Sequence, residues 1–197
     1  HTVSVGSCAP FPVQELLPSL QDACAGMAIA AEIAEDHALL SGLKNRIYQL
    51  VIVHEKPQDR EIFCQRYLDE QLFMTFPKDH PLASRSSITF SDLEDSRILM
   101  THSVGFWMDI CKRHFKPSNL LIQSSLEALE ELVEASSLPF FNSDRMLDRG
   151  FHMQGRASVP IGDPDAKTTY YIACLSAEKT RFNAVFSLVR EAVLQNR

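Results

Sequence analysis

The chain has 197 residues, 45% of them hydrophobic and 22% charged, with a formal net charge of -6. That describes a globular protein long enough for one large domain or two small lobes. It lacks an apolar run approaching the ~18 residues of a membrane span and a basic-then-apolar secretion signal. It also lacks the clustered Lys and Arg that grip phosphates, the densest spot being Lys112-Arg113. The first residue, His1, is not an initiator Met, so an excised or processed piece is expected. Five cysteines (Cys8, Cys24, Cys64, Cys111, Cys174) form no Cys-x-x-Cys pair, so free thiols in a reducing cytoplasm are expected rather than a disulfide framework.

In chain order, Thr2 to Gly6 alternates as a strand, and Ser7-Cys8-Ala9-Pro10 breaks it. Val13, Leu16, Leu17, Leu20 and Ala23 then recur at helical spacing. Met27 to Ile33 reads as a strand, and Asp36 as the N-cap of a helix through Leu43. The unbroken run Leu50-Val51-Ile52-Val53 predicts a strand covered on both faces. Strand, helix, strand, helix, strand is the punctuation of a parallel sheet with right-handed crossovers. Apolar segments Phe63 to Leu68 and Leu72 to Phe76 follow, and Lys78-Asp79-His80-Pro81 stops the chain. Further strands are expected at Arg97 to Thr101, Leu120 to Gln123, Leu138 to Phe141 and Thr169 to Cys174, with an extended segment at Ser158 to Ile161. Helices are expected from Gly105 to Phe115 and after a capping box formed by Ser124 and Glu127. A last amphipathic helix carries Phe182, Val185, Phe186, Val189 and Val193.

The tract Leu72-Phe-Met-Thr-Phe-Pro-Lys-Asp-His-Pro-Leu-Ala83, followed by Ile88-Thr-Phe-Ser-Asp-Leu93 and Ile98-Leu-Met100, resembles the effector-binding domain of LysR-type transcriptional regulators. That family's pattern there is "P-x-x-H-P-L-A", a spacer, "S-L-x-D-L" and another strand. Pro77, His80, Pro81, Leu82, Ala83, Asp92 and Leu93 stand at matching spacing. Leu16-Leu17-Pro18, the Leu50 strand and the helix after Ser124 agree in order, so the resemblance covers nearly the whole chain. The chain departs from the pattern in two places, one a single residue and one a three-residue segment. Gln49 replaces the usual Asp before the Leu50 strand, and Ser136-Ser137-Leu138 replaces a Gly-x-Gly that helps form the ligand cleft in relatives.

The resemblance implies an α/β, two-lobed fold like the type 2 periplasmic binding proteins, each lobe a mostly parallel sheet flanked by helices. Lobe I would take residues 1–76 and 160–197, and lobe II residues 77–159, with a small-molecule effector between them. It also implies a cytoplasmic homodimer or tetramer, with Leu16 to Cys24 as an apolar stripe for pairing. DNA would be bound only through a winged helix-turn-helix domain that these residues do not include. No cofactor, metal or enzymatic activity is expected, and no Gly-x-Ser-x-Gly nucleophile elbow is present. The alternative is a free-standing type 2 solute-binding protein, against which the missing secretion signal and unpaired thiols count.

Ligands of doubly wound sheets sit beyond the carboxyl ends of the strands. Four loops there supply the expected ligand contacts: Ser7, Cys8 and Ala9; Asp36; Thr101, Ser103 and Gly105; Phe140 and Asn142. Hydroxyls and backbone N–H groups at helix starts favour an anion, typically a carboxylate. Each residue also has a plain structural reading. Ser7, Asp36 and Ser103 cap helices equally well, and Gly105 either admits a ligand close to the backbone or turns the chain. Asp36 suits a pairing with His102 or an effector carrying an amine. Cys8 reads as a redox thiol at a helix start or, more simply, as a small buried side chain. Cys111 and His114, one helical turn apart, are a poor metal pair without further ligands. Trp107, Phe106 and Phe115 fit a core or an interface.

Overall fold

Alternation and apolar runs become nine strands and six α-helices among the described residues, 2–195, of the computed structural model. In chain order the first half is β1 (Thr2–Ser7), α1 (Pro10–Ala23), β2 (Ala28–Ile33), α2 (Asp36–Lys44), β3 (Leu50–Val53) and β4 (Ile62–Pro77). Then follow β5 (Ile98–Thr101), α3 (Trp107–His114), β6 (Leu120–Gln123), α4 (Leu126–Ala135), β7 (Phe140–Ser143), α5 (Asp144–Asp148), β8 (Arg156–Pro160), β9 (Lys167–Leu175) and α6 (Asn183–Gln195). Two compact units result: His1–Asp69 with Thr169–Arg197, and Glu70–Thr168. The changeovers fall inside β4 and near the start of β9. The two expected segments of β4 are a single strand of 16 residues.

In the first unit the strands run in the order β2-β1-β3-β9. β1 is parallel to both neighbours, with Ser7 opposite Ile33 on one side and Ile52 on the other. Three strand carboxyl ends therefore lie in a row. β9 pairs antiparallel with β3. The four residues of β3 are all buried, as their unbroken apolar run requires. β2 is the edge, and most of its side chains are exposed. Pro10 starts α1 at a position where no N–H is needed. Leu16 and Leu20 are fully buried within this unit, while Gln14, Glu15, Pro18, Gln21 and Asp22 face solvent. Leu16, Leu20 and Cys24 of the expected apolar stripe are thus part of the core, Leu17 is half-buried, and the exposed side of the helix mixes polar residues with Pro18 and Ala23. Tyr48 fixes α2 against the sheet. Its ring lies so close to Gly42 that a Cβ there would sit 2.6 Å from ring carbons, and its hydroxyl donates to Glu32 Oε2 at 3.0 Å.

In the second unit β5 is parallel to β6 and β7, and β4 is antiparallel to β7 and β8. Successive residues of β5 serve opposite faces. Ile98 and Met100 join the cluster containing Trp107, Cys111 and Phe115 of the α3 side. Leu99 joins Leu129 and Val133 of α4 with Phe140. Ser125, not Ser124, caps α4, accepting from the Ala128 N–H at 3.1 Å. β7 starts at Phe140 rather than Leu138, because Pro139 has no N–H to give a ladder. The chain after α4 is held by Arg156, whose guanidinium donates to the carbonyls of Val133, Ser136 and Leu138 at 2.6–2.8 Å and stands over the Phe140 ring at 5.7 Å. The segment that replaces the family's Gly-x-Gly is therefore pinned by one cation.

Candidate functional site

At the carboxyl edge of the first unit's sheet, β1 ends in Ser7 and the chain turns through Cys8 and Ala9 into α1. Ser7 and Cys8 are buried. The Ser7 hydroxyl donates to the Ala9 carbonyl at 2.7 Å, and the Cys8 N–H donates to the Ile52 carbonyl at 2.9 Å. Pro10 and Pro12 have no N–H, so the start of α1 is a weaker anion cradle than an ordinary helix start. Glu35, not Asp36, stands at the N-cap of α2. The Asp36 carboxylate turns to the end of β3 instead. It accepts from the backbone N–H groups of His54 at 3.1 Å and Glu55 at 2.9 Å, and lies 3.0 Å from His54 Nδ1. Within the second unit, His102 contacts the Gln123 carbonyl and Ser103 Oγ.

His54 is the residue that sequence reasoning missed. Its one signal was its place, directly after an unbroken buried strand, where a parallel sheet presents functional side chains. Donor atoms of Cys8, Asp36 and His54 all lie within 4.8 Å of one another. Reading the sequence for adjacent ligand pairs could not find a trio drawn from three loops.

In the second unit, Thr101 ends β5, and Ser103 and Gly105 lie in the loop leading from there to α3. Thr101 is half-buried, Ser103 is exposed, and Gly105 adopts φ 61°, a left-handed turn that Gly makes without strain. Phe140 and Asn142 are occupied internally. Phe140 is 1% exposed in the core, and the Asn142 amide donates to Thr75 Oγ1 and the Phe151 carbonyl while its oxygen accepts from Ser143 N–H. Cys111 is a core residue whose thiol burial pushes its pKa up to about 12. His114 stacks on Phe90 and pairs with Asp165 at 2.9 Å. An open groove of about 810 Å³ is lined by Glu134, Ser136, His152, Gln154 and Arg156 among others, and it includes none of the expected ligand residues.

The family model described as the LysR substrate binding domain matches residues 2–194. The chain belongs to that LysR family. A hydrogen peroxide-inducible genes activator of Pectobacterium carotovorum subsp. carotovorum is 23% identical over 184 residues, covering 86% of this chain and 58% of that protein. A RuBisCO operon transcriptional regulator of Allochromatium vinosum is 20% identical over 125 residues, covering 64% and 41%. This LysR domain thus spans about half the length of those relatives. Among solved structures, the reduced OxyR regulatory domain of Pseudomonas aeruginosa superposes with a TM-score of 0.70 at 19% identity, covering 96% of this chain and 94% of that one. The BenM effector binding domain with its effector benzoate gives 0.70 at 19%, covering 99% and 93%. The likeness is one of fold, and it gives the LysR domain its α/β, type 2 periplasmic-binding-protein-like architecture. No described helix is long and apolar enough to cross a membrane.

Proposed function

We propose that this domain is the ligand-sensing and oligomerisation part of a cytoplasmic LysR-family transcriptional regulator. It binds a small-molecule effector, catalyses nothing itself, and reaches DNA only through a separate winged helix-turn-helix segment. The observation that carries this reading is the family match across residues 2–194, supported by regulators among the curated relatives. Net charge -6, with no basic cluster, supports the assignment of DNA contact to another segment.

In the second unit the Thr101 and Ser103 hydroxyls, with the backbone freedom of Gly105, suit the carboxylate of a small effector. In the first unit the Ser7-Cys8-Ala9 turn and Asp36 offer polar contacts of their own, while Phe140 and Asn142 act by holding β7 in place. Self-association is assigned to the exposed edge strand β2 rather than to the buried stripe of α1, since an unpaired edge is a template for another chain.

A thermal-shift screen of small carboxylates, aromatics and amino acids identifies the effector, and calorimetry then tests the contacts. Thr101→Val keeps the side-chain shape and removes the hydroxyl, leaving a ligand oxygen unpaired at about 1–3 kcal/mol, or roughly 5- to 150-fold in affinity. The unliganded melting temperature should hardly move. Unchanged affinity in both Thr101→Val and Ser103→Ala would remove the effector from this loop.

A further inference from the structure

We propose that Cys8, Asp36 and His54 form a binding site for a thiophilic divalent cation, Zn²⁺ by preference, at the carboxyl edge of the first unit's sheet. The three residues come from separate loops and converge because the sheet is parallel. Ser7 lies opposite both Ile33 and Ile52, so the residues that follow these three strands share one edge. Their positions are fixed by backbone bonds: Cys8 N–H to the Ile52 carbonyl, Ala34 N–H to the Ser7 carbonyl, and the His54 and Glu55 N–H groups to the Asp36 carboxylate.

The donor set selects the ion. Thiolate, imidazole and carboxylate together suit Zn²⁺, whereas Mg²⁺ and Ca²⁺ demand six or more oxygens. Zn–ligand bonds of about 2.0–2.3 Å in a tetrahedron place donors roughly 3.3–3.8 Å apart. Here all three donors lie within 4.8 Å, and Asp36 Oδ1 is already 3.0 Å from His54 Nδ1. Closing onto an ion brings the widest donor pair inward by at most about 1 Å. Cys8 is 1% exposed, while the Asp36 and His54 side chains are 13% and 27% exposed. The ion would be shielded on the thiol side and reachable past the imidazole. Three protein ligands leave a fourth position for water or for a donor atom of a small molecule. As the Zn–S bond forms, the Cys8 proton leaves to solvent and no electron moves, so affinity rises with pH.

The test uses the chain freed of metal by chelator dialysis and titrated with Co²⁺, which reports thiolate ligation by a near-ultraviolet charge-transfer band and tetrahedral geometry by its visible bands. The expected result is one equivalent of Co²⁺ with both signatures, displaced by Zn²⁺. Cys8→Ser abolishes the charge-transfer band. His54→Gln and Asp36→Asn each lower Zn²⁺ affinity at least about tenfold, measured against a chromophoric chelator. Cys64→Ser, at a thiol outside the cluster, leaves all of this unchanged. Circular dichroism of each metal-free variant checks that it is folded. The wild-type titration decides without any variant: less than one equivalent, or no charge-transfer band, overturns the site. So does a band that survives in folded Cys8→Ser, or Zn²⁺ affinity unchanged in both other variants.

Discussion

Replacing Arg156 with Met keeps most of the aliphatic stem and deletes the guanidinium that holds the chain after α4. Three carbonyls, of Val133, Ser136 and Leu138, then lose a donor at 2.6–2.8 Å. Hydrogen bonds to charged groups are worth about 1.5–3 kcal/mol each, and a buried acceptor left unpaired costs about 1–3 kcal/mol. Arg156 is only half-buried, and its burial already lowers its pKa by disfavouring the charged form, so water replaces part of what is lost. The expected destabilisation is therefore about 2–4 kcal/mol rather than the sum of three full bonds. For a chain of this size that lowers the melting temperature by roughly 4–16 °C. Arg156→Lys restores charge but not the planar fork that reaches three acceptors, so it should recover less than half of the loss. Urea unfolding followed by far-ultraviolet circular dichroism measures both variants, with equal m-values required for the comparison. A loss below about 1 kcal/mol in Arg156→Met would show that segment 136–138 is held by packing alone.

Two further expectations concern the surface. Asp165 accepts from His114 Nε2 at 2.9 Å and Arg113 at 3.1 Å, which hold its carboxyl below the usual range, the His114 bond first. A depressed native pKa stabilises the fold above the unfolded value of 3.8 and loses that contribution as pH falls through the native one. Wild type should exceed Asp165→Asn by about 0.2–1 kcal/mol at pH 6, with the gap closing under acid; a gap that widens there would refute the sign. The second concerns β2. Sedimentation equilibrium at tens of micromolar should show a dimer or larger, and Ile33→Glu on the exposed edge should shift it toward monomer; only monomer for wild type would end the oligomer proposal.

Much of the strand pattern was legible because burial wrote it plainly. Leu50 to Val53 and Leu120 to Gln123 are strands with the bounds their apolar runs suggested. Departures occur where hydrogen bonds, not hydrophobicity, set the limit. Pro139 delays β7, and Ser125 takes the cap that Ser124 was expected to hold. Three of the four expected strand-end loops follow β1, β2 and β5, as the logic of a parallel sheet requires, but the fourth, Phe140 to Ser143, is strand β7 itself. Asn142 reads as a polar ligand group in sequence, yet its amide is occupied by the turn beside it. Asp36 was read as a helix cap, but its carboxylate turns to the backbone N–H groups of His54 and Glu55 after β3. One-dimensional spacing carries periodicity well and carries nothing about which loop ends meet across a sheet.

The discontinuity of the first unit constrains how the protein is made. Its sheet needs β9, which pairs with β3 across roughly 120 intervening residues. During synthesis the ribosome delivers β1, β2 and β3 early, and β3 then waits with one side unpaired until β9 emerges. The second unit, continuous from Glu70 to Thr168, is complete before that moment. Its folding draws in the two ends of its segment and so shortens the span that the late β3–β9 closure must cross. A nascent chain stalled before β9 would therefore expose a hydrophobic strand margin to chaperones. Genetic fusion at a chain terminus is safer than any attempt to excise the first unit as a single stretch of sequence.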